Sequence, residues 1–459
     1  MAMSSRVLIV MHLLVAACAV LGSSSEEPRR GGCFTGLFSF GDSITDNGNW
    51  LRYARSPGAV SRPPYGETFF RRPNGRFCDG RIIIDHVGAA RAMLSSLASS
   101  FQLTTTLGWR AISYVLSVTQ MMCPVYRAAD ALGIPFLTPY LAGNSSEDYA
   151  HGANFAVGGA TALGHEYFRG KNLDVRFTPY SLRWQMSWLK EVLRMLSSEQ
   201  GWSDLMESSL FLVGEIGGND YNQALFQGRS VDEVRTYVPD VVAGISASLV
   251  ELIGLGAKTV VVPGNFPIGC NPGYLTKFQT NDTAQYDSMG CLKWPNGLTQ
   301  LHNRALKAEL AELGRRHPGV AVVYADYYAA AMDLTADPRK HGGFLVHAFV
   351  EFLLICAHAC AFTLKRLVTD ETVRIVSRVP AGFDGKPLVS CCGGGGPYNA
   401  NPTVHCGMRT STTCHDPYEA VSWDGFHFTD HAYKVIANGV LRGPYAMPPI
   451  LAKCRRRRR

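Results

Sequence analysis

Short apolar runs alternate with longer stretches of helical period along this chain. The runs cover residues 37–40, 209–213, 259–262 and 320–324. They lead into clusters of turn-forming residues: Gly41-Asp42-Ser43, Gly217-Gly218-Asn219-Asp220, Pro263-Gly264-Asn265 and Asp326. Runs this apolar fit strands covered on both faces, as in a parallel sheet. Helical patterns over 239–255 and 298–316 lie between the later runs, and another covers 430–441. The alternation predicts an α/β sandwich around a central, mostly parallel sheet, with ligands at the carboxyl ends of the strands.

Composition narrows the class without changing the fold. The 459 residues are 46% apolar and 18% charged, which excludes a disordered, collagenous or coiled-coil chain. The formal charge is +7, but the five arginines at 455–459 supply most of it. The body is therefore near neutral and lacks the charge of a nucleic-acid binder. The basic tail at 453–459 reads as a solvated end.

The first residues read as a secretory signal peptide over 1–25. Arg6 precedes an apolar run at 7–21 that is too short to span a bilayer comfortably, and small residues follow. Secretion, to the extracellular space or cell wall, fits two glycosylation sequons at Asn144 and Asn281. It also fits the cysteines. Cys391, Cys392, Cys406 and Cys414 cluster in a Gly-rich stretch, which suggests disulfides in an oxidising compartment. Zinc is the competing reading, but the chain has no CxxC pair and no HExxH helix. The connectivity stays open.

Four segments carry candidate chemistry. Ser43 follows an apolar strand, where its Oγ faces a crevice, but Thr45 replaces the second Gly of a GxSxG elbow. Taken alone, Asp42-Ser43 after a strand is more often a helix cap. Near the other end, Asp424 precedes His427 by three residues, just ahead of a helix. A tight loop there would let the carboxylate hold the ring Nδ1–H and leave Nε2 to take a proton from Ser43. Between them lie Asn154-Phe155-Ala156-Val157-Gly158-Gly159-Ala160-Thr161 and Gly217-Gly218-Asn219-Asp220. Both read singly as Gly-rich turns, and both hold donors able to stabilise an oxyanion.

In this order the four segments resemble the GDSL family of SGNH hydrolases, in the form typical of plant esterases and lipases. The stretch Cys391-Cys392-Gly393-Gly394-Gly395-Gly396-Pro397-Tyr398-Asn399 is similar to plant members as well. The resemblance implies a flavodoxin-like, three-layer α/β/α sandwich formed by one domain over 33–445. It implies a serine esterase that hydrolyses carboxylic esters through an acyl-enzyme, with no metal or organic cofactor. Ser43 would be the nucleophile, His427 the general base and Asp424 its orienting partner. The Ser43 N–H, the Gly159 N–H and the Asn219 side chain would form the oxyanion hole. Asp42 would be structural. The substrate would be a small-molecule or polysaccharide ester, or a lipid ester, with no nucleic acid and no stable membrane insertion. Oligomeric state stays open.

Two segments depart from the family pattern, near 88–127 and 343–382. Each starts at a glycine and interrupts a stretch that the family runs through directly. Both read as inserts or as in-frame introns retained in the coding sequence. The second holds an apolar run at 344–362, close to membrane-span length, that includes His347, Glu351 and His358. With His341, Cys356 and Cys360 these histidines also suggest metal, though without a spacing that supports it. Setting aside Cys18 and the three insert cysteines leaves nine, an odd number, so one thiol has no intramolecular partner. The alternative function is an impaired, GDSL-like pseudoenzyme or a glycan-binding wall protein whose site the inserts have spoiled. A membrane-tethered or surface-interaction protein is a third reading.

Overall fold

The computed structural model describes residues 33–55, 58–88, 132–175, 177–197, 201–341 and 382–454. The expected signal peptide, almost all of both inserts with the apolar run and His/Cys group of the second, and the arginine tail lie outside the described residues.

Six strands form one sheet: β1 (Leu37–Phe40), β2 (Thr138–Pro139), β3 (Ala153–Asn154), β4 (Leu210–Val213), β5 (Thr259–Pro263) and β6 (Ala321–Ala325). Their order is β2-β3-β1-β4-β5-β6 and every pairing is parallel. The four apolar runs are β1, β4, β5 and β6. Strands β2 and β3, at one side of the sheet, are two residues each, too short to leave a period in the sequence.

Side chains that alternate along each strand feed two separate cores. Phe38, Phe40, Phe211, Val213, Val260 and Val262 point to one face. Leu37, Leu210, Leu212 and Val261 point to the other. Eight helices matter for the site: α1 (Ile83–Gly88), α2 (Leu182–Leu196), α3 (Gly218–Leu225), α4 (Val238–Gly254), α5 (Pro272–Lys277), α6 (Lys293–Arg316), α7 (Tyr327–Ala336) and α8 (Asp430–Arg442). Leu189 of α2, Val241 of α4 and Leu306 of α6 join the first core. Ile84 of α1, Leu334 of α7 and Ile436 of α8 join the second. The result is the expected three-layer sandwich.

Helix α6 begins five residues before the expected 298. Pro295 and Gly297 argue against a helix by propensity, but Pro295 lies in the first turn, where its missing N–H costs no hydrogen bond. Among the described residues one helical stretch, Val231–Gly254, is long and apolar enough to cross a membrane. Here it is a core element, with Val241, Ile245, Leu249 and Leu252 buried against the sheet.

Three disulfides are present among the described residues: Cys270–Cys291, Cys391–Cys414 and Cys392–Cys406. All four clustered cysteines are thus paired with each other. Cys33 is disulfide-bonded too. Cys78 is the free thiol of the described residues and is fully buried.

Candidate active site

The site sits at the carboxyl ends of β1 and β4. Strand β1 runs into Gly41, whose backbone is held by Gln185 of α2: Gly41 N–H donates to Gln185 Oε1 at 2.9 Å, and Gln185 Nε2 donates to the Gly41 carbonyl at 2.8 Å. Gly41 has φ +141°, and a Cβ there would lie 2.5 Å from Thr45 Oγ1 and 2.8 Å from the Glu215 carbonyl. Only glycine lets the chain turn this close to β4. The turn continues with the Thr45 and Asp46 N–H groups donating to the Asp42 carbonyl. It presents Ser43 to a cavity of about 460 Å³.

His427 reaches the same point from the loop before α8. Its Nε2 lies 2.8 Å from Ser43 Oγ. Its Nδ1 lies 2.9 and 2.8 Å from the two carboxylate oxygens of Asp424. A carboxylate only accepts, so it holds the proton on Nδ1, and Nε2 is left to accept from the serine hydroxyl. The three-residue spacing works because the loop folds around the carboxylate. Asp424 Oδ1 also accepts the Phe426 and His427 N–H groups, at 3.1 and 3.0 Å, and Gly425 takes φ +96°. Burial pushes the Asp424 carboxyl up. The His427 ring and the hydrogen bonds from His427, the Phe426 N–H and Tyr65 outweigh it and hold the carboxyl below its ordinary value.

The two glycine-containing segments flank Ser43. Gly158 N–H donates to Asp46 Oδ2 at 2.7 Å, whereas Gly159 N–H and Ser43 N–H have no acceptor among the described residues. Gly159 has φ +78°, and a Cβ there would approach Phe177 Cβ to 2.3 Å. Asn219, in the first turn of α3, donates from Nδ2 to Asp42 Oδ2 at 2.8 Å and to the Ala160 carbonyl at 3.2 Å. Ser43, Gly159 and Asn219 all line the cavity. The structure therefore brings all five expected site residues together. Asp42 turns out to be more than a turn residue, because it also fixes the Asn219 amide.

Sequence reasoning missed the carboxylates that frame this arrangement. Asp46 accepts the N–H groups of Gly48, Asn49 and Trp50 as well as Gly158. Asp220 accepts those of Ala162 and Leu163, at 2.8 and 3.0 Å, and so ties α3 to the Gly158–Gly159 segment. Burial pushes Asp42 and Asp220 up to about 7 and Asp46 up to about 6. A local signal exists for Asp46: an aspartate followed by Gly and Asn two and three residues later fits a side chain capping a helix start. Asp220 bonds residues 57 and 58 positions away, which no local pattern reports.

The cavity wall includes the aromatic side chains of Trp50, Phe77, Phe177, Phe226, Tyr274 and Phe426. Phe77 packs on the His427 ring at 5.1 Å between centroids. Lys277, at the end of α5, is the one lysine or arginine in the wall among the described residues, and its Nζ lies 5.6 Å from the Phe226 ring centroid. No group of three or more His, Cys, Asp or Glu side chains suited to a metal ion occurs among the described residues.

Comparison with known proteins places the chain in a family. The family model for GDSL-like lipase/acylhydrolase matches residues 37–440. A GDSL esterase/lipase of Arabidopsis thaliana is 35% identical over 452 residues, covering 97% of this chain and 94% of the relative. A second from the same plant is 37% identical over 437 residues, covering 94% and 90%. A sinapine esterase of Brassica napus is 34% identical over 459 residues, covering 99% and 96%. The chain belongs to the GDSL-like lipase/acylhydrolase family and is a carboxylic ester hydrolase.

Proposed function

We propose that this chain is a secreted serine esterase that works through an acyl-enzyme on Ser43. The observation that carries the reading is the unbroken hydrogen-bond line from Ser43 Oγ through His427 to Asp424. In the first half-reaction His427 Nε2 takes the serine proton as Oγ bonds to the ester carbonyl carbon. The negative charge on the carbonyl oxygen is met by the Ser43 and Gly159 N–H groups and by the Asn219 amide, which exchanges its longer bond to the Ala160 carbonyl for the oxyanion. Collapse breaks the carbon–oxygen bond to the alcohol, which leaves with the proton from His427. Water repeats the sequence: His427 takes its proton, the acid is released, and Ser43 Oγ recovers a proton. Asp424 holds the ring in the useful tautomer and favours the imidazolium that forms each time.

The cavity supports a small-metabolite ester with an aromatic ring over a triacylglycerol. Its 460 Å³ falls in the lower half of the range for small-molecule sites, and aromatic walls stack well on an aromatic acyl group. The name of the Brassica napus relative, a sinapine esterase, points the same way. A polysaccharide ester remains the second substrate class. Secretion is supported by the signal-like residues 1–25 and by the disulfides. Asn144 and Asn281 are both exposed, as glycan acceptors would be. The impaired-enzyme reading requires the three triad residues to stand apart, and their distances argue against it.

Fluorophosphonate labelling tests the proposal. Label is expected on Ser43 of the full chain and absent from Ser43→Ala, with ester hydrolysis lost in parallel. Undiminished hydrolysis by Ser43→Ala would overturn it.

A further inference from the structure

We propose that Tyr65 is a positioning residue for the triad, its hydroxyl fixing the Asp424 carboxylate from outside the loop that carries His427. The inference rests on the triad reading above. Tyr65 OH donates to Asp424 Oδ2 at 2.8 Å. The other hydrogen bonds to that carboxylate, from the Phe426 N–H, the His427 N–H and His427 Nδ1, all come from its own loop. A carboxylate bonded only within its loop would move with the loop. Tyr65 is the side chain that ties it to the rest of the molecule.

Tyr65 is itself held rigidly. It is 6% exposed and packs edge-on against Trp423, with ring centroids 5.9 Å apart. Both rings lie in a small core with Cys391, Cys392 and Cys406. The neighbouring backbone is fixed by Tyr65 N–H donating to the Arg62 carbonyl and Gly66 N–H donating to the Cys78 carbonyl. Gly66 takes φ +74°, and a Cβ there would fall 2.1 Å from the Arg72 carbonyl oxygen, so the turn admits no other residue. Burial and the Asp424 charge push the phenol well above its ordinary value, and it stays a donor across the working pH range. Tyr65 is absent from the cavity wall, so its effect on substrate passes through Asp424 and His427.

The hydroxyl also shares the carboxylate charge. Without it more of that charge falls on the His427 ring, which favours the imidazolium. Tyr65→Phe keeps the ring and its contact with Trp423. For it we expect kcat on an activated aryl ester to fall about tenfold with KM unchanged. The acidic limb of the kcat/KM–pH profile should move to higher pH. In an Asp424→Ala background the same change should cost nothing further. Wild-type kcat with an unmoved profile would overturn the proposal. So would an equal loss in both backgrounds, which marks a merely structural role. If Tyr65→Phe does not fold, 3-fluorotyrosine at position 65 keeps the shape and strengthens the donor. The acidic limb should then move to lower pH, and a limb that stays put would overturn the proposal. Ser43→Ala labelling tests the triad separately, so failure of that reading and failure of this one give different results.

Discussion

Asp46 accepts the Gly158 N–H at 2.7 Å, and this contact joins the turn that carries Ser43 to a segment 112 residues away. The same carboxylate accepts three further N–H groups from Gly48, Asn49 and Trp50. The turn that carries Ser43 and the Gly158–Gly159 segment are thereby built on one buried anchor.

Replacing that anchor should cost stability first. Asp46→Ala leaves four N–H groups without an acceptor, each a buried desolvation loss of roughly 1–3 kcal/mol. Some would find water, so a net loss of about 3 kcal/mol or more is expected. Urea unfolding of the purified variant reads it directly, and a loss below about 1 kcal/mol would contradict the anchor role.

Asn219→Ala should act on turnover instead. Removing one oxyanion donor lowers kcat by about a hundred- to a thousandfold while KM changes little. Steady-state kinetics on an activated ester separates the two constants. A variant defective mainly in KM would place Asn219 in substrate binding.

The buried carboxyls predict how stability depends on pH. Burial pushes Asp42, Asp79 and Asp220 up to about 7 and Asp46 up to about 6, against an ordinary 3.8. Between those limits the folded chain holds more protons than the unfolded one, so stability falls as pH rises. His302 and His431, which burial pushes down to about 4, act in the opposite sense below the ordinary histidine value of 6.5. Asp424 and Asp430 are held below the ordinary range, and their contribution is lost only in acid. The carboxyls outnumber the histidines, and above about pH 6.5 they act alone. Tm should therefore be higher near pH 6 than near pH 8. A Tm that rises toward pH 8 would contradict the assignment.

The flanks of the two unusual segments make a further prediction. Ile134 N–H donates to the Gly88 carbonyl at 2.9 Å, so the described chain meets itself across the first segment. Across the second, Arg339 lies against Gly385, where a Cβ would be 3.1 Å from Arg339 Nε. A chain cut back by residues 89–127 and 343–381 is expected to fold and to label at Ser43. If the full chain labels and the shortened one does not, the segments belong to the working protein.

Much of this was legible in the sequence because it was local. The strands β1, β4, β5 and β6 show themselves as predominantly apolar runs, since helices cover both faces. Asp424 and His427 are close enough in sequence for one loop to explain them. The strands β2 and β3 were not legible, because two residues carry no period. Nor was the start of α6, where Pro295 and Gly297 speak against a helix that the first-turn geometry allows. The supporting groups were hidden for a different reason. Tyr65 meets Asp424 across 359 positions, and Gln185 meets Gly41 across 144. Such partners are chosen by the fold, and no spacing rule reaches them.

The disulfide-braced rim has a consequence for how the enzyme is made. Cys391 and Cys392 donate their N–H groups to the Ser422 and Trp423 carbonyls, at 2.9 and 2.7 Å, so the loop holding Asp424 and His427 leans on a cross-linked segment. Ser43 is set by the first strand of the sheet, whereas His427 arrives on a late part of the chain that oxidation braces. Production in a reducing host is therefore expected to yield the sheet and the Ser43 turn without a well-held His427, and recombinant work should begin in an oxidising secretory system.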